Sequence, residues 1–150
     1  MAEEQAPSIA YWHLWTDSEG VTHQSQCRFR TFDLQAFAPP SPNLWVKRLA
    51  ASPKDITILV LEAGWVGDWH RNPEPQWIIP LSGTWFVESM DGTRVEMGPG
   101  EASFGEDQQA RPDPNGREGH LSGVVGDEPA VLLLVQVSDA PVTDAACRFD

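Results

Sequence analysis

The chain is short of positive charge: ten Lys and Arg face 22 Asp and Glu, a net charge of -12 over 150 residues. A surface this acidic repels phosphate backbones and anionic lipid, so nucleic acid and membranes are not expected partners. Long apolar runs are missing too. The longest, residues 130–135, is strand-sized and far below a bilayer span. The N-terminal residues are acidic, without the basic and apolar regions of a signal peptide, so a cytoplasmic location is expected. With only two cysteines, Cys27 and Cys147, the expectation for that compartment is a pair of reduced thiols, although sequence leaves a disulfide open. No helical periodicity of useful length occurs, and there are no repeats or low-complexity segments. Neither Ser103 nor Cys27 lies in a recognisable nucleophile motif, and the glycines at 98–100 lack the lysine and helix start of a phosphate loop.

What recurs instead is a short β-branched or aromatic segment followed by a turn signal. Strands are predicted at residues 9–16, 21–33, 44–49, 56–62, 76–80, 84–90, 93–97, 102–105, 120–125 and 130–137. The first two form an N-terminal hairpin around Asp17 to Gly20. Residues 52–55 and 81–83 read as turns, Asp91-Gly92 as a two-residue hairpin turn, and residues 106–119 as a long polar loop. Many short strands in a chain long enough for one core predict an antiparallel β-sandwich or barrel. Seven tryptophans predict an aromatic-rich interior or interface.

The most specific pattern is Gly64-x5-His70-x-Asn72-x3-Gln76-x6-Gly83, followed by Gly98-Pro99-Gly100-Glu101, Glu106-Asp107 and Gly119-His120. It resembles the two motifs of the cupin superfamily. Asn72 stands where a second histidine is usual, Gln76 where glutamate is usual, Glu106 at a proline position and Val124 at an asparagine position. The run from Trp69 to Gln76, with Glu106-Asp107 and Gly119-His120, also resembles a subgroup of small uncharacterised bacterial cupins. The resemblance spans about residues 44–137. It implies an all-β, antiparallel jelly-roll barrel: one domain over 1–150, with an N-terminal hairpin at 9–33 and a tail at 138–150. It also implies a homodimer joined through the N-terminal strands, where Trp12 and Trp15 would suit the contact.

The same resemblance implies a divalent ion (zinc, manganese or iron) on His70, Gln76 and His120, with Asn72 as a further donor. Two imidazoles and neutral amides make a weakened set that leaves positions open for water or substrate. The alternative is a metal-free hydrogen-bonded cluster of the same side chains. Trp65, Trp69, Asn72 and Ile78 are expected to wall a pocket for a small organic molecule, and Glu106 is the candidate acid or base. Asp107, His13 and His23 are expected to be solvated or packed without a role, and Arg71 and Arg117 to make surface ion pairs. Three functions fit: a metal-dependent enzyme, a non-catalytic binding or sensing barrel, and a metal-independent cyclase or isomerase.

Overall fold

The computed structural model describes residues 5–49 and 52–150. These residues are all-β, with no helix among them. Eleven strands are present: β1 (Ile9–Thr16), β2 (Thr22–Phe29), β3 (Asp33–Gln35), β4 (Leu44–Val46), β5 (Pro53–Leu61), β6 (Gln76–Ser82), β7 (Thr84–Ser89), β8 (Arg94–Met97), β9 (Ser103–Gly105), β10 (His120–Val125) and β11 (Ala130–Val137). They form three sheets, in the orders β2-β1-β9-β6-β11-β5, β10-β7-β8 and β3-β4. Among the described residues no helix is long and apolar enough to cross a membrane.

Alternation along the strands assigns the layers. On β1, Leu14 and Trp12 join Ile78 of β6, Leu132 and Leu134 of β11, Trp85 and Val87 of β7 and Met97 of β8 in one core between the six- and three-stranded sheets. Tyr11 points the other way, into a second cluster with Cys27, Trp77, Phe104 and Phe149. The six-stranded sheet is therefore apolar on both faces, because the three-stranded sheet covers one and the chain after β11 covers part of the other. Burying these large rings contributes about 1.5–3 kcal/mol per side chain.

Several expectations are revised. The N-terminal hairpin is part of the main sheet: β1 pairs with β2 on one side and, in parallel, with β9 on the other. Trp12, partly buried, packs against the core, and Trp15, also partly buried, stacks on His23 and donates to Ser25 Oγ at 2.9 Å. The expected turn at 52–55 is instead the start of β5, which pairs with β11 down to Pro53. The expected long strand over 21–33 breaks after Phe29, and Asp33–Gln35 pairs with Leu44–Val46 in a separate ribbon. The two thiols form a disulfide, Cys27–Cys147, with 5.3 Å between Cα atoms. Residues 144–150 fold back over β1 and β2, and this return is what brings cysteines so distant in sequence together.

Two hairpin turns are tied by charge. His23 Nε2 lies 2.8 Å from Asp17 Oδ2 and its Nδ1 lies 2.9 Å from Asp91 Oδ2. Burial disfavours the imidazolium, but the two carboxylates outweigh it and raise the His23 pKa; for both aspartates the opposing hydrogen bonds hold the carboxyl below its ordinary value. A raised imidazole stabilises the fold fully below its unfolded value of about 6.5 and loses that contribution as pH rises through the folded value. The lowered carboxylates contribute above about pH 4 and lose their contribution as pH falls through their depressed values. The clamp is complete between these limits. His23→Gln is expected to remove a decline in melting temperature that the wild type shows above neutrality, read by circular dichroism from pH 5 to 9.

Candidate functional site

Residues 65–70 run along the free side of β10. Gly67 donates to Ser122 O, and His70 and His120 exchange backbone hydrogen bonds at 3.0 and 2.9 Å. This exchange places the two imidazoles side by side, with ring centroids 4.5 Å apart and planes tilted by 52°. Gly119 permits the approach. Its φ is +78°, and a Cβ there would stand 2.2 Å from His70 O, so only glycine fits before His120.

Both rings line a small cavity of about 100 Å³ between the two main sheets. Asn72, Gln76 and Ser122 share its polar end, and Leu59, Leu61, Trp65, Ile78, Trp85, Leu132 and Leu134 make its apolar wall. Gln76 and Ile78 face inward because they alternate with Trp77 on β6. Gln136, opposite Gln76 on β11, is its cross-strand neighbour.

The buried polar groups form a directed chain. Gln136 Nε2 donates to Gln76 Oε1 at 3.2 Å, Gln76 Nε2 to Asn72 Oδ1 at 2.8 Å, and Asn72 Nδ2 to Asp107 Oδ1 at 3.0 Å. Asp107, fully buried, also accepts the Asn72 backbone N–H at 2.9 Å and, on Oδ2, His120 Nδ1–H at 2.7 Å. Gly105 makes room for this network, since a Cβ there would lie 2.4 Å from Asn72 Nδ2.

The tautomers follow from these partners. A carboxylate and a carbonyl can only accept, so His120 carries its proton on Nδ1 toward Asp107. His70 carries its own on Nδ1 toward Asp68 O, at 2.7 Å. Each ring leaves Nε2 without a protein partner among the described residues. An Asp–His pair with the outer nitrogen free is the arrangement that orients a general base, and it is also the usual setting of a histidine that ligates a metal.

As a metal set the residues supply two imidazole nitrogens and the Gln76 oxygen, whose second lone pair remains after it accepts from Gln136. Asn72 Oδ1 accepts from Gln76 and its Nδ2 donates to Asp107, and Asp107 accepts from both His120 and Asn72. Among the described residues, the one cluster of three His, Cys, Asp or Glu ligands is Cys27, Cys147 and Asp150, whose two sulfurs are already bonded to each other.

The remaining expected site residues fall as follows. Trp65, Asn72 and Ile78 line the cavity. Trp69 does not; it lies under the Arg117 guanidinium at 5.6 Å. Glu106 does not either. It sits on the opposite face of the sheet, 1% exposed, 2.6 Å from His13 Nε2 and bridged by Arg148 Nε at 2.9 and 3.1 Å. Burial alone would raise its carboxyl, but the hydrogen bonds from His13 and Arg148 outweigh that and hold it below the ordinary glutamate value. Asp107, expected in solvent, is the residue that sequence reasoning missed. Its signal was its position directly after Glu106, since adjacent residues leaving a strand face opposite layers.

No known protein-family model matches the sequence, and no curated protein matches it.

Proposed function

We propose that the protein is a small β-sandwich of cupin jelly-roll type that binds a small neutral organic molecule between its sheets and moves a proton on it with His120. The buried Asp107–His120 pair, with Nε2 free at the cavity, carries this reading. No Lys or Arg lines the cavity, which argues against an anionic substrate. Its volume is that of about three or four water molecules, so the reacting part is a few non-hydrogen atoms in size.

The chemistry is proton abstraction next to a carbonyl, followed by reprotonation, which is the elementary act of an isomerase or cyclase. His120 Nε2 takes the proton while Asp107 stabilises the imidazolium that forms. His70, alongside, presents a second unprotonated Nε2, an acceptor for a hydroxyl hydrogen of the substrate. The amide chain from Gln136 to Asn72 has no proton to transfer; it holds Asp107 in position by giving its hydrogens toward it. Leu59, Leu61 and Leu132 exclude water from the apolar end of the substrate.

The test is hydrogen–deuterium exchange. Chelator-treated protein in deuterium oxide, incubated with a panel of short ketones and aldehydes, is expected to wash out α-protons in the proton NMR spectrum. His120→Ala is expected to lower the rate about 10²–10⁴-fold, and Asp107→Asn to lower it while leaving the fold intact. If no panel member exchanges faster with wild type than with His120→Ala, proton transfer is wrong.

A second reading rests on the same two fixed tautomers: a divalent ion held by His70 and His120 with Gln76 Oε1 as the third donor. Such an ion would polarise a substrate oxygen. This reading expects stoichiometric metal in untagged protein, lost in both His70→Ala and His120→Ala, and an exchange activity abolished by chelator. The first reading expects exchange undiminished by chelator.

A further inference from the structure

Strand β5 is one of the two unpaired ends of the six-stranded sheet, the other being β2, and its exposed face is apolar. Ile56, Ile58 and Val60 are 67%, 59% and 57% exposed, at every second position of an edge strand nine residues long. Such an edge invites another strand unless it is blunted. The only cap on it among the described residues is local: Asp55 Oδ1 accepts the Ile56 N–H at 2.9 Å. That bond also shows which way the backbone faces. The polar groups of the even-numbered residues point off the sheet, while those of Thr57, Leu59 and Leu61 turn toward β11.

The strand and the residue after it read Lys54-x-Ile56-x-Ile58-x-Val60-x-Glu62, with a cation at one end, a carboxylate at the other and apolar side chains between. Run antiparallel against itself about Ile58, this pattern is complementary to itself. Lys54 of one protomer falls opposite Glu62 of the other, Ile56 opposite Val60, and Ile58 opposite Ile58. The paired positions are the even-numbered ones whose N–H and C=O groups face outward, so about six backbone hydrogen bonds form across the three central pairs. Moving the two-fold by one residue sets Ile56 against Glu62, or Lys54 against Val60, and loses both charge pairs.

We infer that β5 is the dimerisation edge of this protein, and that its partner is a second copy of the chain docked antiparallel about Ile58. A two-fold contact uses one patch twice, which is what a self-complementary strand provides. The sheet's other edge, β2, exposes Gln26 and Arg28 rather than an apolar row, so β5 is the edge that suits a second copy. The contact also finishes the site. Leu59, 39% exposed, and Leu61 form the β5 wall of the cavity, and in this register Thr57 of the other protomer lies opposite Leu59.

Sedimentation equilibrium on the full chain tests the register. Wild type is expected to be a dimer at micromolar concentration. Lys54→Glu and Glu62→Lys are each expected to weaken the dimer about tenfold, whereas the double reversal Lys54→Glu/Glu62→Lys is expected to restore it. Lys54 also contacts Glu74 within its own chain, so Glu74→Gln serves as the control and is expected to leave the dimer unchanged. Ile58→Lys is expected to be monomeric with an unaltered circular dichroism spectrum, because Ile58 is exposed in the monomer, and to lose the concentration dependence of melting temperature that the wild type shows. A monomeric wild type at about 100 μM, single reversals without effect, or a double reversal no better than the singles would overturn the inference.

Discussion

Replacing Cys27 with serine is expected to lower the free energy of unfolding by about 4–5 kcal/mol. The disulfide spans a sequence separation of 120, and the entropy removed from the unfolded chain grows with the logarithm of that loop. The native side of the balance points the same way. The bridge holds the returning chain against β2, where Phe149 packs on Trp77 and Phe104, with centroids 5.2 and 4.9 Å apart, and its N–H donates to Tyr11 Oη. Denaturant melts of Cys27→Ser and Cys147→Ser should agree with each other and with reduced wild type. A loss under about 1 kcal/mol would mean that the returning chain is held by its packing alone.

Glu106→Ala is expected to cost about 3–5 kcal/mol, because it strands partners that have no other acceptor. His13 is fully buried. Its Nδ1 accepts the Cys147 N–H at 2.9 Å, so its Nε2–H must point to Glu106. The mostly buried Arg148 would lose both of its oxygens, and the Val142 N–H a third contact at 3.3 Å. Glu106→Gln should cost less, since it keeps an acceptor for His13. Because the Glu106 carboxyl sits below its ordinary value, its contribution is full above the usual glutamate range and vanishes as pH falls through the depressed value. The gap between wild type and Glu106→Gln in urea melts should therefore be widest near neutrality and begin to narrow only below the usual glutamate range. Glu106 and the disulfide anchor the same segment, so Cys27→Ser and Glu106→Ala should fall short of additivity.

These two effects lie where sequence reading was weakest. Strand positions were legible because side-chain alternation and turn residues are local: Ile9–Thr16, His120–Val125 and Ala130–Val137 were placed to the residue. His70, Asn72, Gln76 and His120 were legible as one cluster through the resemblance of their motifs to those of the cupin superfamily, and all four line the same cavity. The choice between Glu106 and Asp107 was not legible. The side each faces depends on which layer covers each face of β9, and that is decided by segments far away in the chain. The disulfide was hidden for the same reason: nothing near Cys147 states that the chain doubles back to β2. The strand start at Pro53 was read as a turn because proline and serine suit turns; they are tolerated here because β5 is an edge.

The parallel pairing of β1 with β9 has a consequence for how the chain folds. Strand β9 is three residues long, with β1 on one side and β6 on the other. It joins the opening hairpin to the rest of the sheet through Trp12 beside Ser103. Contacts between such distant segments must wait for a long loop to close, which predicts slow, all-or-none folding with little gained from the hairpin alone. It also means that a shortened chain beginning after β2 would not be a trimmed domain. It would leave β9 as a bare edge in the middle of the former sheet, with the rings of Trp77 and Phe104 uncovered, and would be expected to aggregate rather than fold.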